Sequence, residues 1–180
     1  MPAPPSYTAE MVRALPDDGK RYETVYGELL VTPAPRLLHQ LVLSRLMVRL
    51  DSYLSREHDG VLLPSPADIS WGPDILVQPD LFVAASGEVR TMEWKHVRTL
   101  LLAIEILSPS SVKADRLTKR RLYQEQRIPL YWIVDCDAAT VEAWTPDAVF
   151  PVVEKETAVW QPAGAAVPCI IELAEIFAPL

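Results

Sequence analysis

Apolar residues recur at Leu38, Leu41, Val42, Leu46, Leu50 and Leu54, spaced by three and four. That period predicts an amphipathic helix over residues 37–54 with one face on a core. Residues 7–15 predict a shorter helix capped by Thr8 and ended at Pro16-Asp17-Asp18-Gly19. Residues 22–31 read as a β-hairpin turning at Tyr26-Gly27. Residues 61–71 and 75–84 read as strands joined through Gly72-Pro73-Asp74. The almost wholly apolar stretch 100–107 predicts a central strand covered on both faces. A charged helix over 112–126, a buried strand over 130–134, edge strands over 141–144 and 149–153, and a helical turn over 172–177 complete the series. The order predicts an α/β (α+β) fold, a central mixed sheet flanked by helices.

The chain of 180 residues is expected to form a single domain, with residues 1–6 frayed. Its longest unbroken apolar runs, residues 100–104 among them, are far short of the roughly 20 residues a bilayer demands. The start, MPAPPSYTAEM, has neither the basic beginning nor the apolar centre of a secretory signal, which points to a cytoplasmic protein without a membrane partner. Cys136 and Cys169 are too few for a disulfide framework and are expected as free thiols. A net charge of −7 excludes a general attraction to nucleic acid and leaves only a local basic patch for that purpose.

Two carboxylates stand out because their neighbours are apolar. Glu105 lies inside LLLAIEIL and Asp80 inside ILVQPDLFVA. An isolated buried carboxylate costs several kcal/mol, so each needs a cation, a metal or dense hydrogen bonding. Brought together they would repel, and a divalent ion removes the conflict; hard oxygen donors suit Mg²⁺ or Mn²⁺. On the helix after Glu105, residues Asp115, Lys119 and Tyr123 are spaced by four and share a face. Either this helix is a solvated one with an Asp-to-Lys pair, or Lys119 leans over the acids to hold a phosphate while neighbouring basic residues follow a nucleic-acid backbone.

The run YGEL at Tyr26–Leu29, His39-Gln40, Pro79-Asp80, EILSPS from Glu105 to Ser110, Asp115 with Lys119 and Tyr123, and YWIVD from Tyr131 to Asp135 resemble the Uma2 family. The resemblance spans about residues 22–144 and implies a restriction-endonuclease-like core of the PD-(D/E)XK superfamily. It also implies Mg²⁺ (or Mn²⁺) on Asp80 and Glu105 and hydrolysis of phosphodiester bonds of DNA. The superfamily lysine two residues after the acid is Leu107 here, and Lys119 is the expected substitute. Glu28 is expected beside the site as a further metal or water ligand. His39 would contact phosphate or shuttle a proton, with Tyr123 behind Lys119. His58 and His96 are expected on the surface. Cutting both strands would require a homodimer, with the C-terminal part as its interface. The alternative is a catalytically inactive nuclease-fold module for nucleic-acid binding or assembly; a hydrolase of small phosphoesters is a third reading.

Overall fold

Thr8 caps the first helix, α1 (Ala9–Arg13), where its Oγ1 accepts the Met11 N–H at 3.1 Å. It thereby satisfies one of the donors a first helical turn leaves open. The molecule is seen in a computed structural model that describes residues 6–57 and 60–179. Residues 1–5 of the segment expected to fray, and His58, lie outside the described residues. Strands β1 (Arg21–Val25) and β2 (Glu28–Thr32) form the expected hairpin. Tyr26 (φ 53°) and Gly27 (φ 76°) are both left-handed, which matches the twist of paired strands in a two-residue turn. Helix α2 (Leu37–Glu57) then buries Val42, Leu46, Leu50 and Leu54.

Each of the two long strands expected next is broken in two. Residues 61–71 divide between β3 (Gly60–Pro64) and β4 (Ile69–Gly72), and residues 75–84 between β5 (Ile75–Val77) and β6 (Leu81–Ala85). Pro66 and Pro79 lie in the gaps, and a proline there cannot donate to a ladder. At these breaks the chain leaves one sheet for another, because β3 pairs with β6 while β4 pairs with β5. The two crossings are tied together by the Ser65 N–H on the Asp80 carbonyl at 3.2 Å.

A short helix α3 (Ser86–Val89) precedes β7 (Leu100–Ile106), the expected central strand. The charged helix carries a π-helical segment, Ala114–Lys119, close to its start and runs on as α4 (Arg120–Glu125). It carries the chain across to β8 (Tyr131–Asp135), which lies parallel to β7, as a helical crossover permits. Strands β9 (Thr140–Trp144) and β10 (Val152–Glu154) continue the sheet outward. A hairpin that the sequence pattern did not predict, β11 (Thr157–Trp160) and β12 (Cys169–Glu172), leads into α5 (Leu173–Ile176).

The six-stranded mixed sheet has the order β10-β9-β8-β7-β6-β3. Alternation along β6 sends Leu81 and Val83 to one face and Phe82 and Ala84 to the other. The first face is covered by α2, β11–β12 and α5; the second by α4 and a four-stranded sheet of order β2-β1-β5-β4. Trp160 is buried in the core, edge-on to Tyr53. His96 is exposed. Among the described residues no helix is long and apolar enough to cross a membrane.

The hairpin turn gives a direct check. A Cβ at Gly27 would have to adopt its φ of 76° and would clash with Ser6 Oγ, whereas one at Gly87 in α3 meets nothing within 4 Å among the described residues. Urea denaturation of Gly27→Ala is expected to show a loss of more than ~1 kcal/mol, and of Gly87→Ala a gain of ~0.4–1 kcal/mol.

Candidate active site

Glu105 is 1% exposed on β7, and its neighbours Ile104 and Ile106 point into the core beneath α2. Alternation therefore turns Glu105 toward the four-stranded sheet and α4. Asp80 is the residue before β6, and Leu81 pairs with Ile104, so the antiparallel register carries Asp80 beside Glu105. The Asp80 carboxylate is held on three sides. Arg21 Nη1 donates to Oδ1 at 2.6 Å, the Ile106 N–H donates to Oδ2 at 2.8 Å, and His39 Nε2 lies 3.1 Å from Oδ2. His39 Nδ1 is buried with no partner among the described residues, so the ring fits as the Nε2–H tautomer, donating to Asp80.

A second group of contacts surrounds Lys119. Its ammonium lies 2.9 Å from Glu105 Oε1, 2.8 Å from Glu23 Oε2 and 3.6 Å from Asp115 Oδ1. The Glu23 contact is an ion pair off the line a hydrogen bond needs, and both Glu23 Oε2 and Asp115 Oδ1 are buried without a hydrogen-bond donor among the described residues. The Tyr123 hydroxyl donates to Glu105 Oε1 at 3.1 Å, and Glu23 Oε1 accepts the Gln78 N–H at 2.7 Å. The π-helical turn is wider than an α-turn, and Asp115 and Lys119 still face one way along it, with Tyr123 following on α4.

Asp80, Glu105, Lys119, His39 and Tyr123 are thus brought together, and Lys119 reaches the acid from the helix although Leu107 stands at the strand position. Glu28 is not among them: it is exposed at the start of β2, at the turn end of the hairpin. Glu23, fully buried two residues before Val25, occupies the place expected of Glu28. Glu23 and Arg21 are the members that sequence reasoning passed over. The signal was in the hairpin: alternation back from buried Val25 points Glu23 and Arg21 inward as well.

The site faces two hollows that share Thr32, Ser110 and Ser111. A cleft of about 840 Å³ is lined by Arg21, Arg36, His39, Asp80 and Ser108, among others. A smaller cavity of about 130 Å³ is lined by Glu23, Asp115 and Lys119.

Four buried carboxylates, Glu23, Asp80, Glu105 and Asp115, thus face two permanent cations, Lys119 and Arg21. Burial pushes Glu105 well above the usual carboxylate range; Lys119 opposes that shift, while Asp115, Asp80 and Glu23 reinforce it. Asp115 is raised in the same way, chiefly by burial. Asp80 behaves oppositely: burial would raise it, but the His39 hydrogen bond, the Arg21 charge and the Ile106 N–H together hold it below the usual range. Lys119 stays charged because Glu105, Glu23 and Asp115 outweigh the cost of its burial. The oxygen donors and their excess negative charge fit a hard divalent cation. Among the described residues, however, no three acid, histidine or cysteine side chains are already arranged as a cage, because Arg21 and Lys119 fill the space between the carboxylates.

Removing one cation from such a cluster leaves buried charge uncompensated. Denaturation of Lys119→Met in chelator is expected to show a loss of ~3–5 kcal/mol. Glu105→Gln, which resembles the protonated acid, is expected to lose much less. Because the folded-state pKa of Glu105 is raised, its carboxyl favours the fold below its unfolded pKa and loses that contribution as pH rises. The stability of Glu105→Gln relative to the parent should therefore improve from pH 5 to pH 8.

Comparison with known proteins bears on the fold and the family. Among solved structures, a crystal structure from Anabaena variabilis ATCC 29413, described as "a putative nuclease belonging to DUF820", matches with a TM-score of 0.77 at 20% identity, over 96% of this chain and 98% of that one. At that identity the likeness establishes the fold. No curated protein matches the sequence. The model of the Uma2 family, described as "Putative restriction endonuclease", matches residues 9–174, and the chain belongs to that family.

Proposed function

We propose that the cluster is the active centre of a Mg²⁺-dependent endonuclease that hydrolyses phosphodiester bonds of DNA, working as a cytoplasmic homodimer. The observation that carries the reading is the meeting of Asp80 and Glu105 with a lysine from a different element, Lys119 Nζ lying 2.9 Å from Glu105 Oε1. Membership of the Uma2 family supports it. The free thiols of Cys136 and Cys169 accord with a reducing compartment, and a two-fold dimer would present one site to each strand.

Asp80 and Glu105 would hold the ion, which supplies a water of lowered pKa and polarises the phosphoryl oxygens. The chain's own groups prepare that chemistry. His39 and the Ile106 N–H fix the orientation of Asp80, and Tyr123 does the same for Glu105. Lys119 brings a fixed positive charge to the place where negative charge builds on the phosphate. The cleft bordered by Arg36 and Ser108–Ser111 gives a phosphodiester access to the Asp80 side of the site.

One observation favours the second reading, a nuclease-fold module that binds without cutting: Arg21 and Lys119 already neutralise part of the acid cluster. Incubation with duplex DNA separates the two. Cleavage that needs Mg²⁺ or Mn²⁺, stops in chelator and falls ~10²–10³-fold in Glu105→Gln is expected. Duplex binding without cleavage under any divalent ion would establish the module instead.

A further inference from the structure

We propose that Arg21 is the resident counter-ion of Asp80, which a divalent cation must displace, and that the released guanidinium then serves as a phosphate ligand in the cleft. This inference rests on the metal-dependent reading above and adds a second position for one of its residues. The two cations of the cluster are held very differently. Lys119 is 2% exposed, faces three carboxylates and is anchored on a helix packed into the core. Arg21 has one close ion pair, 2.6 Å to Asp80 Oδ1. Its other contacts are weak: Ser65 Oγ at 3.3 Å, and Glu23 Oε2 at 4.0 Å from a buried Nε that has no hydrogen-bond partner among the described residues.

Arg21 also has somewhere to go. Its side chain is 19% exposed and lines the cleft of about 840 Å³, together with Arg36 and Ser108–Ser111. The remaining donors on Asp80, the Ile106 N–H and His39 Nε2, both bind Oδ2, so releasing Arg21 frees Oδ1 without loosening the carboxylate. A guanidinium matches phosphate oxygens as well as it matches a carboxylate, and moving between them needs no change in its protonation. Because both cations compete for Oδ1, anything that removes Arg21 must strengthen the metal, and the metal must loosen Arg21 to the same degree.

Calorimetry of Mn²⁺ binding to Arg21→Gln and to the parent, without nucleic acid, tests the first half. The variant is expected to bind ~10–100-fold tighter, the range over which outer partners move metal affinity. In Ca²⁺, its affinity for a short duplex should be weaker, with a salt slope reduced by about 1. Should the variant fold poorly, NMR of the unaltered protein gives the same answer: the Arg21 Nε–H resonance is expected to shift and exchange faster as Mg²⁺ is added. Equal Mn²⁺ affinities, an unchanged salt slope, or an Arg21 signal that ignores bound Mg²⁺ would overturn the role of Arg21 alone. Absence of Mn²⁺ binding to both proteins would overturn it together with the metal-dependent reading.

Discussion

Carboxylates cannot be crowded into a dry space unless positive charge enters with them, and the architecture is organised around that constraint. Glu23 comes from β1, Asp80 from the entry to β6, Glu105 from β7, and Asp115 with Lys119 from the π-helical segment. The ion cluster therefore joins the small sheet, the large sheet and the crossover helix at one place. Desolvating each of these charges costs several kcal/mol, repaid only with good geometry. Such geometry is available because the acids sit on neighbouring strands and Lys119 is fixed by a helix leading straight into the parallel strand β8.

The apolar skeleton was legible because period and composition agreed over long stretches. Helix α2 and strands β7 and β8 emerge close to their expected bounds, and the order of elements gave the mixed sheet. What failed was continuity: a run of apolar residues carries no mark of the point where a chain changes sheets, so residues 61–71 and 75–84 read as unbroken despite Pro66 and Pro79. Hairpin β11–β12 was missed because its outward positions Val159 and Ile170 are themselves apolar, so apolar and polar residues do not alternate along its strands. The π-helical turn has no pattern separable from an α-helix, since Asp115 and Lys119 share a face in either.

The site shows the same division. Glu105 and Asp80 were conspicuous as acids among apolar neighbours, and Lys119 as the only nearby amine with the right spacing. Glu23 and Arg21 were hidden because RYETV mixes polar and aromatic residues and resembles an exposed edge; only pairing with β5 and the cover of α4 bury it. Glu28 drew notice through its motif, yet burial, not motif, decides which acid of a hairpin reaches the centre. The net charge of −7 is likewise a poor guide here, because the decisive charges are interior, four carboxylates facing two cations.

On the proposed reading, function turns on exchange of one kind of cation for another. Lys119 and Arg21 make the fold tolerable without metal, although four carboxylates still outnumber these two cations. The most direct measurement is the anomalous map of a crystal grown with saturating Mn²⁺. A peak bridging Asp80 and Glu105, with Lys119 still paired to Glu105, is the predicted result. A map with no peak there, and Arg21 still bound to Asp80, would show the cluster to be a structural ion network and would contradict a metal centre.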